Sequence, residues 1–178
     1  MKLSGNNIIM AKRIVTKIGD VFCSEIDGQC KRFFQYFAID STMLNSSVIR
    51  VFKQHYPMDY IPDISEIIVG EVEFYAHTVL RRGIADGIWY KVGKSKYIGS
   101  GEYESILFGT VNDTINKQID GKWVLQRVNP LDNWRIWKVN QEPIWNYKLP
   151  EEYYDIIEPG DVFPYTDIRR RMEYGYYG

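Results

Sequence analysis

The stretch VFCSEIDGQCKRFFQYFAI, residues 21–39, decides the fold. At its centre, Asp27-Gly28 is a two-residue turn signal, because Asp and Gly tolerate the positive φ angles that tight hairpin turns require. The flanking runs are rich in β-branched and aromatic residues, so the stretch reads as two antiparallel strands. The second, residues 31–39, carries apolar side chains on both alternating faces, among them Phe33, Phe34, Tyr36 and Phe37. A strand with two apolar faces is central and covered on both sides. The first strand starts near residue 13 and is expected to break at Gly19. A two-residue turn places Cys23 opposite Arg32 and Cys30 opposite Glu25, so both cysteines read as free thiols packed as small hydrophobes.

Working outward, residues 47–54 form the next strand candidate, through Val48, Val51 and Phe52. Residues 55–65 hold Pro57 and Pro62 and read as a loop. From Val72 the alternation is clean. Val72, Phe74, Ala76, Thr78 and Leu80 share one face, and Glu71, Glu73, Tyr75 and His77 take the other. This is the pattern of a half-buried strand, with His77 on its polar, outward side. Asp86-Gly87 repeats the hairpin signal before residues 88–92. Residues 93–104, with three glycines, read as a mobile loop. Residues 105–111 are a strand candidate, Asp120-Gly121 leads into residues 123–128, and residues 134–139 and 144–147 add two more. Three Asp-Gly turns between β-rich runs predict a mainly β, β-rich α+β fold. The sheet is expected to be antiparallel and curled, or closed into a small barrel.

The last part differs. Pro150 with Glu151 and Glu152 suits the start of a helical turn. Thr166 reads as the N-cap of a helix over residues 167–174, with Gly175 as its stop. One or two short C-terminal helices follow. Residues 1–178 are thus read as one domain, with a loose N-terminal arm at 1–12 and a helical or irregular segment at 149–178. Gly19-Asp20-Val21-Phe22 recurs as Gly160-Asp161-Val162-Phe163, but four residues without flanking similarity make no repeat.

Aromatic residues make up 15% of the chain, a high share. Such rings serve a core, and Tyr and Trp serve interfaces equally well. Lys and Arg total 22 against 23 Asp and Glu, a formal charge of −1. That balance argues against a dedicated nucleic-acid binder, whose affinity rests on neutralising phosphates. No apolar run is long enough for a secretory leader or a membrane helix, so the chain reads as cytoplasmic, with no membrane role. The glycosylation patterns at Asn45 and Asn112 then read as coincidence.

No catalytic or metal site assembles from the sequence, and no cofactor is implied. A phosphate loop needs four residues between its first Gly and Gly-Lys-Ser, whereas five separate Gly87 from Gly93-Lys94-Ser95. Gly99-Ser100-Gly101 lacks the third Gly of a dinucleotide fingerprint and the spacing of a nucleophile elbow. His55 and His77, the two histidines, stand far apart and outside any metal-ligand spacing. His77 could in principle serve Cys23 or Cys30 as a base. Glu71 and Glu73 share a strand face at about 7 Å, the separation of a glycosidase carboxylate pair, which leaves a carbohydrate-active enzyme as an alternative.

Two charged clusters remain. Glu151, Glu152, Tyr153, Tyr154 and Asp155, extended by Glu158 and Asp161, form an acidic patch carrying aromatics. Acids steer a basic protein and tyrosines anchor it. Arg169, Arg170 and Arg171 with Tyr174 form a basic patch suited to phosphate contact and base stacking, the nucleic-acid-binding alternative. Each cluster also fits a solvated surface, and their closeness in sequence allows mutual neutralisation.

The order of segments resembles the immunity protein 26 family of bacterial polymorphic-toxin systems. The residues that carry the likeness are Lys17-Ile18-Gly19-Asp20-Val21-Phe22, the aromatic run from Phe33 to Phe37, and Trp134-Arg135-Ile136-Trp137-Lys138-Val139-Asn140. Pro143-Ile144 and Leu149-Pro150-Glu151-Glu152-Tyr153 complete it, so the likeness spans residues 13–165. It implies a small intracellular protein that binds and neutralises a cognate toxin.

Overall fold

The computed structural model describes residues 14–99, 105–146 and 148–177. The loose arm expected at 1–12 and residues 100–104 of the expected mobile loop lie outside them. The larger sheet contains β1 (Asp20–Ile26), β2 (Cys30–Asp40), β3 (Ser46–Phe52), β4 (Tyr56–Pro57), β5 (Val72–Thr78) and β6 (Trp89–Lys94). The smaller sheet contains β7 (Leu107–Val111), β10 (Trp134–Lys138), β11 (Ile144–Asn146) and β12 (Ile157–Pro159), while β8 (Thr114–Ile119) and β9 (Lys122–Arg127) pair, among the described residues, only with each other. A last strand, β13 (Val162–Phe163), returns to the larger sheet, whose order is β13-β5-β3-β2-β1-β6 with β4 beside β2. The smaller sheet runs β11-β10-β7-β12. Three α-helices lie wholly within the described residues: α1 (Ile64–Ile67), α2 (Leu80–Ala85) and α3 (Tyr165–Tyr174).

The β-rich, curled reading holds, but the barrel alternative does not: β13 and β6 are separate, unjoined edges. The sheets are also mixed. β12 lies parallel to β7 and β13 parallel to β5. A tail that crosses from one sheet to the other in a few residues has no room for a hairpin return, so each piece adds alongside an existing strand.

The centre of the fold is β2, as its two apolar faces predict. On one face Phe34 and Tyr36 pack with Phe22, Val51, Phe74, Trp89 and, from α3, Ile168 and Met172. Phe22 stacks on Phe34 at 5.3 Å between ring centroids, and Trp89 meets Phe34 edge-on at 5.1 Å. The opposite face divides in two. Phe33 packs with Val21, Cys23, Phe52, Tyr56 and Ile67, while Phe37, Ala38 and Val48 pack on Phe108, Trp137 and Val139 of the smaller sheet. Full burial of such side chains contributes about 1.5–3 kcal/mol each.

Turn chemistry explains where the reading held and where it failed. Asp27 and Gly28 take φ of 47° and 69°, and the Gln29 N–H donates to the Ile26 carbonyl at 2.9 Å. Gln29 is nevertheless left out of the ladder. Cys30 therefore faces Ile26, and Cys23 faces Phe33 rather than Arg32. The extra residue shifts the register by one, a bulge that the dipeptide does not encode. Both thiols are free. Asp86-Gly87 is not a hairpin. The Asp86 N–H bonds to the Arg82 carbonyl, and Gly87, at φ 70°, stops α2. Leu80 belongs to that helix instead of to the preceding strand. A Cβ at Gly83 would lie 2.2 Å from the Trp89 ring, so this glycine lets α2 close on β6. Asp120-Gly121 is the hairpin turn it was read as, joining β8 to β9. Residues 55–65 hold β4 and the start of α1 within the expected loop; Asp63 caps that helix by accepting from Ser65 and Glu66. Helix α3 starts two residues earlier than expected, because the Pro164 carbonyl accepts from Asp167 and Ile168; Gly175 ends it at φ 82°.

Candidate interaction surfaces

The side chains able to do chemistry are mostly committed to the fold. The clearest correction concerns His77, which is fully buried and does not face solvent. The smaller sheet covers the Tyr75–His77 end of that face of β5, while Glu71 and Glu73 stay exposed. His77 Nε2 lies 3.0 Å from Asp40 Oδ2, and Trp137 Nε1 donates to the same oxygen at 2.9 Å. Asp40 Oδ1 accepts from the Thr42 and Met43 N–H groups. Burial pushes the Asp40 carboxyl up, but the bonds from Met43, Trp137 and His77 together hold it below its ordinary value. Burial pushes the His77 imidazole down in spite of Asp40. The trio ties β2 and β5 to β10 across the sheet interface. The thiol that a histidine base would need is elsewhere: Cys23 packs among Val21, Phe33 and Phe52, where burial raises its pKa. Among the described residues no three His, Cys, Asp or Glu side chains cluster as metal ligands.

Glu71 and Glu73 do not share a cleft. Glu71 pairs with Lys53 at 2.8 Å in solvent. Glu73 accepts from Arg32, a buried arginine that also donates to the Phe52 and Met172 carbonyls and lies 2.7 Å from His55 Nε2. The open depression beside Lys53, His55 and Glu66 is lined by Glu71 without Glu73.

The basic cluster is dispersed. Arg171 bonds to Glu158 at 2.9 Å and to the Tyr177 hydroxyl at 2.8 Å, with its guanidinium over the Phe74 ring. Arg169 pairs with Asp27. Arg170 and Tyr174 stay exposed. The mutual neutralisation foreseen from sequence is thus present between Arg171 and Glu158. Glu158 also accepts from the Tyr75 N–H, so it leaves the acidic patch for the interior.

The rest of the acidic patch faces outward. Glu151, Glu152 and Tyr153 form a single 3-10 turn, and Tyr154 follows it. Glu151, Glu152 and Asp155 are exposed, and among the described residues none has an ion-pair partner. Tyr154 is 60% and Ile156 58% exposed, whereas Tyr153 is half-buried. Because Ile157 is aligned with Leu107, this turn sits at the Leu107 end of the smaller sheet.

At the other end of that sheet lies a surface that sequence reading missed. Beyond Val111 and Trp134 the two strands continue as the β8–β9 ribbon, held by bonds from Asn112 to Asn133 and from Val128 to Asp113, both 2.9 Å. At about 3.3 Å per residue its six-residue strands reach roughly 20 Å. All of β9 is exposed, with Trp123 at 72% and Leu125 at 66%. The signal was present as Trp123-Val124-Leu125, three apolar residues in a row between Lys122 and Arg127. A strand apolar on both faces is normally covered twice; the sequence does not say by what. No protein-family model, curated protein or solved structure matches the chain.

Proposed function

We propose that the chain is a protein-binding module of the immunity type, which neutralises a cognate toxin in the cytoplasm by direct contact. The observation that carries this reading is the exposed acidic-aromatic turn. Exposed Glu151, Glu152 and Asp155 adjoin exposed Tyr154 and Ile156 in the chain and have no ion-pair partner among the described residues, a layout suited to a basic partner surface. Carboxylates at the rim speed encounter, and an exposed ring supplies the anchor that slows release. The resemblance to the immunity protein 26 family supports the same reading, since part of it lies in this turn.

The test is genetic and kinetic. The gene immediately upstream should encode a protein that arrests growth when expressed alone, and co-expression of this chain should restore growth. With that protein as ligand, the combined Glu151→Lys, Glu152→Lys and Asp155→Lys substitutions should cut the association rate at least about tenfold at low salt. Tyr154→Ala should mainly accelerate dissociation. Binding kinetics indifferent to all four changes would remove the turn from the interface. Failure of the wild-type chain to restore growth would overturn the function.

A further inference from the structure

We propose that β9 is the contact of a two-fold dimer, pairing with β9 of a second copy into a four-stranded ribbon. The inference is independent of the toxin-binding reading and rests on the other end of the smaller sheet. A lone two-stranded ribbon is marginal in water and gains from further strands. Here both outer edges are open among the described residues. Edge strands escape pairing through prolines, bulges, inward charges or edge lysines. β9, Lys-Trp-Val-Leu-Gln-Arg, has no proline or bulge and carries its charges, Lys122 and Arg127, at its two ends, leaving the apolar centre uninterrupted.

The register follows from the backbone. Val128 donates to the Asp113 carbonyl, so by antiparallel alternation Gln126, Val124 and Lys122 also turn their backbone groups toward β8. Trp123, Leu125 and Arg127 therefore turn theirs outward. A two-fold axis normal to the ribbon, passing at Val124, sets Trp123 opposite Leu125 of the second copy, and Leu125 opposite Trp123. Both pairs are hydrogen-bonded, and the four apolar side chains close into one patch on a single face. The two Val124 side chains meet at the axis on the other face. Charge agrees with this placement. Lys122 lies opposite Gln126 and not another cation, and Arg127 falls beside the Asp120-Gly121 turn of the second copy. The outer strand β8 suits the role less well, because an axis at its Lys117 would oppose two lysines. The dimer leaves both acidic-aromatic turns free, at the far ends of the two smaller sheets. The interface is the same patch on both copies, so it closes on itself without growing into a fibre.

Sedimentation of the full chain at about 100 µM should give twice the 21.0 kDa mass of one chain. Leu125→Pro removes an outward N–H and no bond to β8, so it should weaken self-association at least about tenfold with the far-ultraviolet spectrum unchanged. Val124→Cys places two thiols at the axis and should form an intermolecular disulfide on mild oxidation. Asn116→Cys on β8, and the wild type with its half-buried Cys30, should not. If Leu125→Pro misfolds, the cysteine pair decides. A wild-type monomer at that concentration would overturn the proposal, and so would a dimer in which both cysteine variants cross-link equally. Toxin binding by a monomeric Leu125→Pro chain would leave the functional reading standing.

Discussion

His77 Nε2 and Asp40 Oδ2 meet at 3.0 Å with both side chains sealed from solvent. A neutral imidazole in that position binds fewer protons than the same imidazole in the unfolded chain, where it titrates near 6.5. The stability this provides is therefore complete above about pH 6.5 and declines as pH falls toward the lowered folded value. Urea midpoints at pH 7.5 and 5.5 should differ in that direction, and His77→Gln should flatten the difference.

Asp40 holds three groups at once, the His77 ring, the Trp137 indole and the 42–43 turn. Asp40→Ala leaves the two ring donors buried without an acceptor and should destabilise the fold by about 3 kcal/mol, measured by chemical denaturation. Its carboxyl is held below the ordinary 3.8, so its own contribution persists well into acid and is lost only as pH falls through the lowered value.

Gly83 touches the Trp89 ring where a Cβ would sit. Gly83→Ala should lower stability by about 2 kcal/mol, through displacement of either α2 or the indole, despite alanine's better helix propensity. Near-ultraviolet dichroism of the tryptophans and the melting temperature report both effects.

The three consecutive arginines should behave unequally. Arg171→Ala strips Glu158 of its partner at a half-buried site and should destabilise by about 2 kcal/mol. Arg170→Ala, on the exposed side, should stay within about 0.5 kcal/mol of wild type. Equal effects would mean that the Glu158 pair is not formed.

In the native state a thiol reagent should modify Cys30 first and leave Cys23 unreactive until denaturant is added. Burial raises the Cys23 pKa and closes access to the sulfur.

What the sequence disclosed divides along a physical line. Local rules carried Asp27-Gly28, Asp120-Gly121 and Gly175, because a positive φ is a property of the residue itself. They failed at Gln29, where one unpaired residue moved the register, and at Asp86-Gly87, where the same dipeptide ended a helix. Period-two alternation found β5 but assigned its polar face to solvent. His77 is buried there because a second sheet arrives from residues 107–138, and alternation within one strand carries no information about that cover. The acidic turn was legible because exposure is the default for Glu151, Glu152 and Asp155. The ribbon was not, because Trp123 and Leu125 read as core until their neighbours are placed.

The parallel strands β12 and β13 have a kinetic meaning. The Tyr75 N–H reaches Glu158 across 83 residues of chain, and Thr78 reaches the Phe163 carbonyl across 85. Contacts that span so much sequence form late in folding, when most of the loop-closure entropy has already been lost. One short tail thus acts as the latch for both sheets. A single proteolytic cut between Pro159 and Val162 would leave β12 on the body and sever β13 and α3 from it, so that only the outer edge of β5 is opened for aggregation.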